Sequence, residues 1–162
     1  MNYFAMFGLE EKYDLSLKEL KDKYLQLMQV YHPDRAQIGE AKEYIEKSMM
    51  FNEAYKILSD SYERAKYMLN LHGHKIGDNS ILQPAELEEI LEEYDSLETI
   101  NSFDKLKDKE LRYNNKIEMI LNKIGESFSN NKLAEALDYT VRLKYFTNLV
   151  KNIKVRMKHA NN

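Results

Sequence analysis

Apolar positions along this chain of 162 residues recur mostly at intervals of three and four, the spacing that gathers them on one face of a helix. Leu17, Leu20, Tyr24, Leu27 and Tyr31 form one such stripe, and Ser16 followed by Glu19 is a capping box that predicts a helix starting at Leu17. A short apolar segment, Tyr3 to Leu9, precedes it and is broken by Gly8. A second long helix is predicted from about Gly39 to Leu58, with Ala41, Tyr44, Ile45, Ser48, Phe51, Ala54, Tyr55 and Leu58 turned inward. Asp60 with Glu63 is another capping box, and the short helix it opens has Gly73 as its natural stop. Two glycines, Asp78, Asn79 and Ser80 make residues 72–83 a linker, and Pro84 suits the first turn of the helix after it. Three patterned segments then follow, over 84–100, 102–125 and 133–157, with a break expected at Ser127-Phe128-Ser129-Asn130-Asn131.

These elements predict an all-α protein. Two long helices joined by a short bend pack as an antiparallel hairpin, and three amphipathic helices with short connections pack as an up-down-up bundle. Five Gly and two Pro are too few for a turn-rich β fold, and 43% hydrophobic with 31% charged residues is a soluble globular composition. No apolar run approaches the length of a membrane span, and the N-terminus lacks the basic and apolar regions of a signal peptide. The absence of cysteine excludes disulfides and thiolate metal ligands, which suits a reducing compartment. The net charge of −3 hides an asymmetry: residues 76–100 carry eight acidic side chains and no basic one, while residues 101–162 carry thirteen basic and seven acidic. The simplest expectation is that the basic last helix lies against the acidic helix that follows Pro84.

Tyr31-His32-Pro33-Asp34-Arg35 joins the first two long helices. Pro33 has a fixed φ, no N–H to donate, and a ring that biases His32 away from helical geometry. The preceding helix therefore ends near His32, leaving an imidazole and a carboxylate two residues apart on an exposed bend. As a general acid/base pair or a metal site this would need a pocket and further ligands, and none is nearby in the sequence. His72 and His74 flank Gly73 as helix-end residues without a third ligand. The basic stretch Arg142 to Lys158 lacks a stacking platform or a DNA-binding motif, and the chain is net acidic, so no nucleic-acid partner is expected. No catalytic residue, metal or cofactor is expected either.

The short first helix, the amphipathic second helix, His32-Pro33-Asp34 and Phe51-Asn52-Glu53-Ala54-Tyr55-Lys56-Ile57-Leu58-Ser59-Asp60 together resemble the J-domain of DnaJ-type co-chaperones. A J-domain followed directly by an acidic three-helix domain is similar to the HscB (Jac-type) family. The opening Asn2-Tyr3-Phe4 with Phe7-Gly8-Leu9, and Arg64-Ala65-Lys66-Tyr67-Met68-Leu69-Asn70-Leu71-His72-Gly73, look like that family's own signatures. The resemblance spans the chain and implies a J-domain over 1–75, a linker over 76–83 and a scaffold-binding three-helix domain over 84–162. It also implies a role in iron–sulfur cluster assembly: stimulating an HscA-type heat-shock ATPase and delivering an IscU-type scaffold to it. A J-domain co-chaperone with a different client is the alternative.

Carried over residue by residue, the ATPase-facing positions are His32, Pro33, Asp34 and Arg35, with Lys18 and Lys21 on the preceding helix. Arg35 stands where the family usually has lysine, which keeps the charge. The scaffold-facing positions are Leu87, Leu91, Glu92, Asp95 and Phe146. The family commonly has Phe-Leu-Met where this chain reads Glu86-Leu87-Glu88, a loss of two apolar contacts. Leu87 and Leu91 lie one turn apart, with Ile90, Tyr94 and Leu97 as the core stripe, and Phe146 is expected to complete an exposed patch from the last helix. With no leader expected and Lys outnumbering Arg 19 to 5, the expectation is a bacterial cytoplasmic protein.

Overall fold

The structure, a computed structural model, describes residues 2–77 and 82–160, so residues 78–81 of the expected linker lie outside the described residues. Among the described residues, seven α-helices follow in order: α1 (Tyr3–Met6), α2 (Leu17–Tyr31), α3 (Ala41–Ser59), α4 (Ser61–Leu71), α5 (Pro84–Glu98), α6 (Phe103–Ser129) and α7 (Leu133–Ala160), with a 3-10 turn at Pro33–Arg35. The all-α expectation holds: a helical hairpin is followed by a three-helix bundle. Two compact units divide the chain, Met1–Met68 and Leu69–Asn162.

In the first unit both expected caps form. The Ser16 hydroxyl accepts from the Glu19 N–H at 3.2 Å, and the Asp60 carboxylate from the Glu63 N–H at 2.8 Å. An aromatic ladder joins α2 to α3. Tyr24 stacks on Tyr55 at 4.3 Å and donates its hydroxyl to Asn52 at 2.7 Å, while Tyr31 meets Tyr44 and Phe51, each at 5.6 Å. Residue 24 opposite 55 and 31 opposite 44 make the pair antiparallel. Each ring pair adds about 0.5–1.5 kcal/mol beyond its buried area. Leu20, Phe51, Ala54 and Leu58 fill the space between them and Phe4 and Phe7. Three members of the expected stripes are exposed instead, Leu17, Ala41 and Ile45, because the ladder's large rings already span the seam. The start of α3 also moves, from Gly39 to Ala41: Gly39 has φ +95° and belongs to the turn before the helix. At the start of α4, buried Arg64 donates to the Leu58 carbonyl at 2.6 Å and lies over the Tyr13 ring, whose hydroxyl donates to the Ser61 carbonyl. Burial pushes the Tyr13 phenol up to about 12, against the opposing pull of Arg64.

The second unit opens with the end of α4. His74 N–H reaches the Leu69 carbonyl at 2.8 Å and Gly73 N–H the Asn70 carbonyl at 3.1 Å, the paired bonds of a helix closed by a left-handed residue, here Gly73 at φ +80°. α6 and α7 form a long antiparallel hairpin around Leu106, Tyr113, Ile120 and Ile124 on one side and Leu143, Leu149 and Ile153 on the other. α6 does not break at Ser127. Its hydroxyl donates back to the Lys123 carbonyl at 2.7 Å, so the helix runs on to Ser129 and turns at Asn131, φ +55°.

α5 packs on this hairpin through an unusual stripe. Ile90 and Leu97 are its buried residues, and the other two positions on that line are Glu86 and Glu93. Glu86 pairs with Arg142, Glu89 with Lys116 at 3.4 Å, and Glu93 accepts from the Tyr113 hydroxyl and from Lys109 at 2.5 Å. The acidic helix thus packs on α7, as expected, with Arg142 facing Glu86 there, while its other ion pairs go to Lys109 and Lys116 of α6. Burial alone would push the Glu93 carboxyl up. The hydrogen bonds from Lys109 and Tyr113, with the charges of Lys109 and Lys116, outweigh that and hold it below the ordinary carboxylate value. A depressed carboxyl contributes stability that is present above its unfolded value and is lost as pH falls through the folded one. Acid titration of the melting temperature should therefore show a loss below pH about 4.5 that Glu93→Gln reduces; an identical acid limb in the variant would remove Glu93 from this role.

Candidate functional site

His32, Pro33, Asp34 and Arg35 occupy the tip of the α2–α3 hairpin. Pro33 takes the first position of the 3-10 turn, and His32, with φ −62° and ψ 132°, is at once the end of α2 and the cap of that turn. The cap is the histidine's own side chain: Nδ1 accepts from the Asp34 N–H at 3.3 Å and lies 3.5 Å from the Asp34 carboxylate. Because Nδ1 is used as an acceptor, the neutral ring carries its proton on Nε2, so it has one donor left to offer. Arg35 N–H returns to the His32 carbonyl at 2.9 Å and Ala36 N–H to that of Pro33 at 3.2 Å. The backbone of the bend is therefore satisfied from within, while the His32 and Asp34 side chains are half and 88% exposed. Lys18 and Lys21 are exposed on α2, three residues apart. At about 1.5 Å per residue they stand roughly 21 and 16 Å down the helix from the bend. The structure gathers the four bend residues tightly and sets the lysines apart on the same element.

In the second unit, Leu87 is half-buried, Leu91 is 55% exposed, and Glu92 and Asp95 are exposed. Glu88, Glu92 and Asp95 recur at four and three residues and make an acidic edge beside the leucines. Phe146 does not join them. It is 8% exposed, its ring 5.9 Å from Tyr113, with Lys116 over its other face at 5.2 Å. It falls in the inward stripe of α7 with Leu143, Leu149 and Ile153, and that periodicity accounts for the correction. The half-buried residue beside it, Tyr145, is the one that turns toward α5: burial, and then the neighbouring Tyr145, push the Tyr94 phenol up. Leu87, Leu91, Tyr94 and Tyr145 are thus the apolar surface available here. Tyr145 was missed because the family's pattern had been carried over onto Phe146, and no local signal singles out its neighbour.

The departure at Glu86-Leu87-Glu88 resolves the same way. Glu86 turns inward to Arg142 at the mouth of a cavity of about 310 Å³ floored by Leu82, Ile90, Ile120 and Phe146, so only Glu88 alters the outer face. Among the described residues no group of three or more His, Asp or Glu is placed to hold a metal ion. No helix among them is long and apolar enough to cross a membrane.

Residues 2–67 match the DnaJ domain family, and residues 82–154 match the family described as the HSCB C-terminal oligomerisation domain. A co-chaperone protein HscB homolog of Acinetobacter baumannii is 32% identical over 155 residues, covering 94% of this chain and 88% of its own. One from Vibrio atlanticus is 27% identical over 164 residues, covering 96% of both. Among solved structures, human co-chaperone protein HscB superposes with a TM-score of 0.89 at 25% identity, over 96% of this chain and 82% of its own. HscB from Vibrio cholerae shares the fold, with a TM-score of 0.88 over 94% and 96%.

The placement of Phe146 has a direct consequence for stability. Phe146→Ala should cost about 3–5 kcal/mol in urea denaturation, as for other buried aromatics, whereas Tyr145→Ala should cost well under half of that. Equal, small losses would return Phe146 to the surface.

Proposed function

This chain belongs to the HscB family of J-domain co-chaperones, and from that premise we propose that it stimulates the ATPase of an HscA/DnaK-type chaperone and delivers an IscU-type iron–sulfur scaffold to it. The family regulates an ATPase and is not itself enzymatic. The observation that carries the reading is the self-capped bend. Its local hydrogen bonds hold the backbone, with His32 using only Nδ1 for the cap, so the Nε2 side of His32 and the side chains of Asp34 and Arg35 remain for a partner. The His32 Nε2–H is the directed donor, Asp34 the acceptor, and Pro33 the device that fixes the angle between them. Lys18 and Lys21 add positive charge along α2 that favours an acidic surface on the ATPase.

The scaffold's docking face, in this reading, is Leu87 and Leu91 with Glu92 and Asp95 at the edge, extended by Tyr94 and Tyr145 in place of Phe146. An exposed leucine pair on an otherwise acidic helix is costly to leave in water and suits a partner with an apolar centre and a basic rim. The two docking faces share no residue and lie on different units, so their substitutions act independently.

His32→Gln should abolish stimulation of the partner ATPase while costing no more stability than a lost cap, about 1 kcal/mol. Full stimulation by this variant would end the J-domain mechanism proposed here. Leu87→Ala with Leu91→Ala should weaken scaffold binding in isothermal titration by about 2 kcal/mol or more, with J-domain stimulation in the absence of scaffold intact. Unchanged affinity would place the client elsewhere and leave the first half of the proposal standing.

A further inference from the structure

The stripe by which α5 seats on the hairpin reads Glu86, Ile90, Glu93, Leu97, and neither docking surface accounts for its carboxylates. Two aliphatic anchors seven residues apart lie nearly on one line along the helix, which holds it in place but resists rotation about that line only weakly. Glu93 sits between them and is held from two directions. The Tyr113 hydroxyl donates to it from a ring only 2% exposed, and the Lys109 ammonium donates at 2.5 Å while also reaching the Ser96 hydroxyl at 3.4 Å. A carboxylate moved off these donors would be left partly desolvated and unpaired, and a ring as enclosed as Tyr113 has nowhere else to turn its hydroxyl. The contact therefore sets the rotation of α5. That rotation decides how far Leu87 and Leu91, on the adjoining face, stand out beside Tyr145.

We propose that Tyr113 and Lys109 are positioning residues for the client-docking face: gripping Glu93 from beneath, they fix the angle at which α5 presents Leu87 and Leu91. This rests on the assignment of that face to the scaffold. The grip is polar where a bundle helix would ordinarily be held by packing, so its loss changes orientation before it changes the fold. Paired buried charge is best attested in that role, as a device for register.

The test uses the full chain with Tyr113→Phe, which keeps the ring and removes the hydroxyl, and Lys109→Met, which keeps the stem and removes the charge. Three quantities are measured: affinity for purified iron–sulfur scaffold protein by titration calorimetry, hydrogen exchange of the α5, α6 and α7 amides, and ATPase stimulation without scaffold. Each variant should bind the scaffold about five- to tenfold more weakly, and α5 amides should lose protection while those of α6 and α7 keep theirs. Stimulation without scaffold should be unchanged. The double variant should be little worse than either single one, since both act through one carboxylate. Unchanged affinity despite faster α5 exchange would overturn the proposal by making the grip structural only. Equal loss of protection in all three helices would overturn it as ordinary destabilisation. The control is Leu87→Ala with Leu91→Ala. If that variant binds scaffold normally, the client-face assignment fails and takes the proposal with it; if it binds poorly while Tyr113→Phe binds normally, the positioning role alone fails.

Discussion

Pro33 cannot donate to α2 and cannot let His32 be helical, and the first unit is built around that prohibition. Once α2 stops, the chain turns through one 3-10 turn and returns as α3, and the Tyr24–Tyr55 and Tyr31–Tyr44 contacts bring the two helices together. A bend that projects into water gains nothing from core packing. Its order comes from its own short hydrogen bonds, chief among them the one His32 accepts at Nδ1. A partner therefore meets groups whose directions are already fixed, and little ordering entropy is left to lose on docking.

The second unit meets a related demand by different means. A helix with the proposed role of showing leucines to a partner cannot also commit a broad apolar face to its own bundle without becoming buried all round. α5 resolves this by seating on two aliphatic residues and three carboxylates, each paired with a group of α6 or α7. Such pairs contribute little net stability once desolvation is counted, but a wrong rotation that leaves one of them unpaired is strongly disfavoured. Specificity of orientation is what they supply. The same pairs bring together charges that the sequence keeps apart, those of acidic α5 and of the basic residues on α6 and α7.

Much of this was legible beforehand, and the failures have a common cause. Capping boxes located α2 and α4, Pro84 the start of α5 and Gly73 the end of α4, because these signals are local and depend on one backbone conformation. The bend was legible for the same reason. What was not legible depended on neighbours in space. Periodicity weighs only the apolar residues of α5, so the inward roles of Glu86 and Glu93 are visible only with Arg142, Lys109 and Tyr113 opposite them. Ser127 and Ser129 look like a break, yet a serine that bonds back to its own helix need not end it. The family resemblance carried Phe146 over to the client face, whereas the three-residue step through Leu143, Phe146 and Leu149 had already assigned the phenylalanine to the core.

That last substitution of one neighbour for another alters the chemistry of the proposed face. A phenylalanine there would be an apolar anchor and nothing more. A tyrosine presents the same ring area with a hydroxyl that needs water or a partner's polar group, and it loses little rotamer freedom on binding. Placed beside Leu87 and Leu91, and edged by Glu88, Glu92 and Asp95, it makes the surface less costly to expose while free and more selective when bound. An all-apolar patch would bind more indiscriminately and would invite self-association. The arrangement trades raw affinity for discrimination, which suits the proposed role of handing a client on.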